Sequence, residues 1–141
     1  MTTQHLSIRI GTDTLGRLDA ESQRERMSRS ELARTLIEEG LRMEAHRGIV
    51  FKPGPAGRRP SLAAGPDVWE IVRAWKDLEL PAEEAVPKLA DIATVSEHEI
   101  RVALGYYADY PDEIGAWVDR VNEESERAFE EWKRQQASVQ G

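Results

Sequence analysis

The 141-residue chain contains no cysteine. Disulfides, thiolate metal sites and cysteine nucleophiles are therefore excluded, and the composition suits a reducing compartment. Its three histidines, His5, His46 and His98, are far apart, so no metal-ligand spacing can be read. No apolar run approaches the ~20 residues of a membrane span, and no secretory signal precedes the first patterned segment. A cytoplasmic protein without membrane contact is expected. Both the Gly-Lys-Ser/Thr ending of a phosphate loop and a His-Glu-x-x-His are missing, and no nucleophile–base arrangement stands out. The chain therefore reads as a non-enzyme, with no catalytic residue, no cofactor and no metal.

What is present begins with an ordinary soluble composition, 40% apolar and 32% charged. The net charge of −7 argues mildly against nucleic-acid binding. Most of the acidic excess lies downstream of residue 46, however, and the N-terminal segment is close to balanced. Because fields from exposed charges fade beyond about 8 Å at physiological salt, a basic face remains workable on an acidic protein.

Between His5 and Arg42 the hydrophobic period changes twice. Leu6, Ile8 and Ile10 alternate with His5, Ser7 and Arg9, the period of a half-buried strand. Leu15 and Leu18 then fall at helical spacing, with Thr12 or Asp13 as the expected cap. Ser28, with Glu31 three residues on, is a capping box opening a second helix that carries Leu32, Ala33, Leu36, Ile37 and Leu41. One strand and two helices cannot close a core, and a lone strand leaves an unpaired edge. A second copy solves both problems: two strands pair antiparallel across a two-fold axis and four helices cover their apolar face.

This segment resembles the ribbon-helix-helix (Arc- and MetJ-like) DNA-binding family of small bacterial repressors and antitoxins. The resemblance rests on Leu6-Ser7-Ile8-Arg9-Ile10, on Leu15 and Leu18, and on Ser28-Arg29-Ser30-Glu31-Leu32, and covers about a third of the chain. It implies a two-stranded ribbon in the DNA major groove. Leu6, Ile8 and Ile10 then face the dimer core, while His5, Ser7 and Arg9 face base edges. Arg9 is the candidate for a bidentate guanine contact, worth roughly 1–3 kcal/mol of discrimination. The exposed amides at the start of the second helix favour a DNA phosphate beside Ser28, Arg29 and Ser30. The same residues also fit a merely solvated ribbon face and a plain helix cap.

From Gly48 to Pro66 the pattern changes to a hairpin. Ile49-Val50-Phe51 is a short strand, Pro53, Gly54, Pro55 and Gly57 make a turn, and Arg58 to Leu62 returns antiparallel. Pro66-Asp67 open a helix with Val68, Ile71, Val72, Trp75 and Leu78 on one face, and Trp69 lies off it, over the hairpin. A helix from Pro81 places Ala85, Leu89 and Ile92 inward; Pro87 predicts that it is kinked or starts late. Ser96 and Glu99 form a capping box for a third helix bearing Ile100, Ala103, Leu104 and Tyr107. A hairpin followed by three helices has the shape of a helix-turn-helix module. Gly48-Ile49-Val50-Phe51, Gly57-Arg58-Arg59, Trp69-Glu70-Ile71-Val72 and the Ala103–Tyr107 run are similar to a small bacterial domain family of that kind. That resemblance implies an antitoxin encoded beside a toxin with a PIN-like nuclease fold. Glu97 and Glu99 near the start of the third helix repel phosphates, which favours a protein-binding platform over a second DNA reader.

Pro111-Asp112-Glu113 start a last helix, with proline and acids at its positive end. Ile114, Trp117, Val118, Val121, Ser125, Ala128, Phe129 and Trp132 form one stripe. The first half is expected to pack on the module, leaving the second half with little to pack on. Trp117, Val121, Phe129 and Trp132, with Lys133 and Arg134 just past the stripe, are the candidate partner-binding residues. A fold back onto the module or onto a dimer mate fits the same stripe.

The expected protein is mainly α: a dimeric ribbon-helix-helix over residues 1–46, a helix-turn-helix-like module over 47–110, and an amphipathic partner-binding helix and tail over 111–141. The two resemblances together imply the antitoxin of a type II toxin–antitoxin pair. It would bind operator DNA as a homodimer, silence a toxin, and associate further when toxin bridges dimers. A stand-alone repressor and a dimeric interaction module without DNA reading are the rival readings.

Overall fold

The computed structural model describes residues 2–140. They form six helices and one two-stranded antiparallel sheet, in two compact units, the first running to Glu44 and the second starting at Ala45.

The first unit holds α1 (Thr12–Glu25) and most of α2 (Arg29–Ala45). Neither Thr12 nor Asp13 caps α1: Gly11 is the N-cap residue, and no side chain accepts a bond there. Helix α1 ends with Arg26 in the left-handed region, the Met27 N–H bonding back to the Ser22 carbonyl at 3.0 Å. Ser28 does cap α2, its hydroxyl accepting the Glu31 N–H at 3.1 Å. Residues 2–11 carry no regular structure in the single chain, although the alternation predicts a strand. The physical reason is that a ladder needs a second strand, and the one sheet among the described residues is built elsewhere.

Leu32 is the one fully buried apolar side chain of this unit; Leu15, Leu18 and Ala33 are half-buried. Leu6, Ile8 and Ile10 are 67%, 65% and 42% exposed, and Leu36, Ile37 and Leu41 are exposed as well. An open hollow of about 600 Å³ is lined by Ile8, Ile10, Leu18, Ala33, Leu36 and Ile37 among others.

The second unit builds its own core. Strand β1 (Ile49–Lys52) pairs antiparallel with β2 (Arg59–Leu62), Ile49 opposite Leu62 and Lys52 opposite Arg59. The turn between them is closed by the Gly57 N–H on the Gly54 carbonyl at 2.9 Å, with Gly57 at φ +111°, a conformation glycine adopts freely. Helices α3 (Val68–Leu78), α4 (Ala82–Ala93), α5 (Glu97–Asp109) and α6 (Pro111–Gln140) follow. The core joins Ile49 and Leu62 of the hairpin to Val68, Ile71 and Val72 of α3, Val86 and Leu89 of α4, Ile100 and Tyr106 of α5, and Ile114 and Val118 of α6.

Three sequence expectations change here. Helix α4 runs through Pro87 from Ala82, so it does not start late, and its buried face is Ala85, Val86, Leu89 and Ala90. Ile92 sits on the flank of that face and is 62% exposed. On α5 the fully buried ring is Tyr106, against Phe51, while Tyr107 and Leu104 are only half-buried. The Ser96–Glu99 capping box is complete: the Glu99 N–H donates to the Ser96 hydroxyl and the Ser96 N–H to the Glu99 carboxylate, both at 3.1 Å.

Candidate nucleic-acid interface and partner helix

The six residues singled out for DNA all lie in the first unit, and all are exposed. The His5 ring Nε2 and the Ser7 hydroxyl are 2.8 Å apart, a local bond two residues long. Arg9 makes no ion pair among the described residues, so its guanidinium is open to an incoming acceptor. Nor does any hydrogen bond or ion pair among the described residues join the set 5–9 to the set 28–30.

Arg29 is engaged. Its Nε donates to Asp19 Oδ1 at 2.7 Å and its second terminal nitrogen to Asp19 Oδ2 at 2.9 Å, a bidentate pair between α1 and the first residue of α2. The hydrogen bonds from Arg29 hold the Asp19 carboxyl below its ordinary pKa, and the same bonds raise that of Arg29. Both side chains face solvent, so the pair adds little stability. Sequence reading missed Asp19: it lies ten residues away across a turn, where no single-helix periodicity points to it.

In the second unit, α5 offers little to a groove. Its one arginine, Arg101, pairs with Glu83 at 3.5 Å, and Glu99 is committed to the cap. Asp109 receives His46 at 2.8 Å, and the His46 ring lies edge-on to Tyr106, centroids 5.2 Å apart. This cluster too was absent from the sequence reading, which saw His46 only as remote from the other histidines. On the hairpin, Arg59 bonds to the Asp67 carboxylate, which also accepts the Trp69 indole N–H at 3.1 Å. Trp69 therefore does sit beside the hairpin, held by a polar bond as well as by packing.

Helix α6 divides sharply. Ile114 and Val118 are buried, and Trp117 and Val121 half-buried, the Trp117 ring carrying the Arg120 guanidinium at 4.7 Å. From Glu123 to Gln140 every residue is exposed. Phe129 and Trp132, 56% and 54% exposed, stack on each other with centroids 6.0 Å apart. Lys133 lies 4.9 Å from the Phe129 ring centre and pairs with Glu130 at 2.8 Å; Arg134 pairs with Glu131. The two cations past the stripe are thus engaged on their own helix.

No group of three or more histidine, aspartate or glutamate side chains among the described residues is arranged to hold a metal ion. No helix among them is long and apolar enough to cross a membrane. Comparison with known proteins returns nothing similar: no family model, curated protein or solved structure matches the chain.

Proposed function

We propose that the chain is the antitoxin of a type II toxin–antitoxin pair, whose first unit dimerises through a ribbon and reads operator DNA while α6 binds the toxin. One observation carries the reading. In the first unit Leu6, Ile8 and Ile10 lie uncovered, as do Leu36, Ile37 and Leu41; Ile8, Ile10, Leu36 and Ile37 line one open hollow, and His5, Ser7 and Arg9 alternate with the first three. A unit with a single buried apolar side chain is far below what an isolated domain of this size needs. A second copy supplies the missing strand and the missing cover together. The ribbon so formed turns its polar residues outward, in the register a major groove accepts.

The uncovered half of α6 favours an antitoxin over a stand-alone repressor. Stacked Phe129 and Trp132 on an amphipathic helix match the anchors of helix-in-groove recognition. The test is growth rescue. The neighbouring reading frame is induced in a heterologous host with the full chain, and with a chain ending at Asn122. The proposal expects a toxic neighbour, rescue by the full chain and none by the shortened one. A harmless neighbour, or one that stays toxic beside the full chain, moves the reading to a repressor. Arg9→Ala should then weaken binding to the promoter duplex more than to random duplex, and equal losses would reject base reading by Arg9.

A further inference from the structure

We propose that Asp19 is a built-in counter-anion for Arg29 that subtracts one phosphate contact from DNA binding; this rests on the DNA-binding reading of the first unit. The Asp19 carboxylate meets the Arg29 guanidinium fork to fork, at 2.7 and 2.9 Å. This is the geometry in which arginine takes a phosphate, so the Nε edge of the guanidinium is already filled. Arg24 pairs with Glu21, and Arg42 with Glu38, across three or four residues of one helix. Asp19 instead reaches across the turn to the opening residue of α2. Arg9, Arg17, Arg26 and Arg34 make no ion pair among the described residues. The unit therefore carries free arginines and leaves this one neutralised at the place where a phosphate would lie.

Displacing Asp19 is not the obstacle, because an exposed ion pair is weak. The obstacle is the carboxylate that remains. Once Arg29 turns to a phosphate, the Asp19 charge stands unpaired beside the DNA backbone and repels it. The pair enters the complex with no net charge and releases no net counterion. Its hydrogen bonds keep the Asp19 carboxyl below the ordinary range, so the negative charge persists throughout the neutral range in which binding is measured.

Asp19→Asn keeps the shape and removes the charge. The slope of log K against log salt should then steepen by about 0.9, the contribution of one phosphate contact. Between ~50 and ~200 mM salt the affinity advantage of the variant over the wild type should shrink about 3.5-fold. Promoter and random duplexes should gain by the same factor, because phosphates carry no sequence information. Arg29→Ala should weaken binding and flatten the slope in the wild-type background, where it leaves the Asp19 charge unpaired beside the backbone, and should cancel the gain in the Asp19→Asn background.

The experiment is a fluorescence-anisotropy titration of the full chain. The probes are a duplex from immediately upstream of the reading frame and a random duplex of equal length, across that salt range, with a thermal melt of each variant. A steeper slope with an unchanged melting temperature is the expected result. An unchanged slope with a binding-competent wild type overturns this inference alone. A lower melting temperature with weaker binding at every salt, in both Asp19→Asn and Arg29→Ala, overturns it in favour of a staple between α1 and α2. Binding of neither duplex by wild type and Asp19→Asn alike overturns the DNA reading itself.

Discussion

Replacing Ile8 by serine separates a solvated N-terminal arm from the core of a dimeric ribbon. In the single chain Ile8 is 65% exposed, so nothing within that chain rewards an isoleucine there. As an exposed position it should tolerate Ile8→Ser within about 0.5 kcal/mol. In a dimer the remaining surface closes. Full burial of such a side chain is worth roughly 1.5–3 kcal/mol, and about two-thirds of that is still open, or roughly 1–2 kcal/mol per chain. Two copies lose roughly 2–4 kcal/mol on substitution, which is about a 30- to 700-fold weaker dimer. Sedimentation equilibrium on the full chain and on Ile8→Ser measures the dissociation constants directly. Melting temperature should also rise with protein concentration for the wild type, because association stabilises the folded state by mass action. A wild type that stays monomeric at every concentration, or an Ile8→Ser variant that dimerises as tightly as the wild type, refutes the ribbon.

Other expectations concern the second unit and the Asp19 pair. Leu89→Ala, at a side chain only 1% exposed, should cost about 2–5 kcal/mol, whereas Ile92→Ala three residues on should stay within about 0.5 kcal/mol; similar urea midpoints for the two variants would contradict the buried face of α4. Thr94 ends α4 at φ +56°, a left-handed conformation that a β-branched residue rarely adopts. Thr94→Gly removes roughly 1–2 kcal/mol of that strain and returns roughly 0.5–1 kcal/mol as chain entropy, so the urea midpoint should rise; a fall would show that the threonine side chain earns its place. The Asp19 carboxyl should titrate below the ordinary ~3.9 in an NMR pH series. Its folded-state pKa is depressed, so the small stability contribution of the pair is present above the unfolded-state pKa and is lost as pH falls through the folded one. Arg29→Ala should return the midpoint towards the ordinary value, and an unmoved midpoint would mean that Arg29 is not its partner in solution.

Much of the second unit was legible because its signals are local. The hairpin follows from Ile49-Val50-Phe51 and a proline- and glycine-rich turn, and α5 follows from Ser96 and Glu99, whose bonds both form. The misses occur where local patterns are degenerate. Leu89 and Ile92 are three apart and can share a face, but α4 turns Ala85, Val86, Leu89 and Ala90 inward, and Ile92 falls at its edge. Tyr106 and Tyr107 are neighbours about 100° apart on the helix, and composition does not say which enters the core. Only the packing on Phe51 and Tyr110 decides for Tyr106. Asp19 and Arg29 meet across a turn, which no single-element period encodes.

The two units differ in kind. From Ala45 onward the chain closes a core from its own side chains, and its buried polar side chains Ser61 and Asp67 find partners within it. In the first unit, alternation and helical period are as clear in the sequence, yet the described residues leave most of that apolar surface open. The difference is not one of hydrophobicity; a strand pattern is an instruction to pair, and a single chain has no second copy to pair with. If the pairing follows the proposal, the outward set of His5, Ser7 and Arg9 gains its alternate orientation only when the inward set is covered. DNA reading would then depend on dimer concentration, while the fold of the second unit would not. On that proposal no ligand-induced switch is needed: diluting the dimer would dissolve the reading surface and leave the exposed half of α6 unchanged.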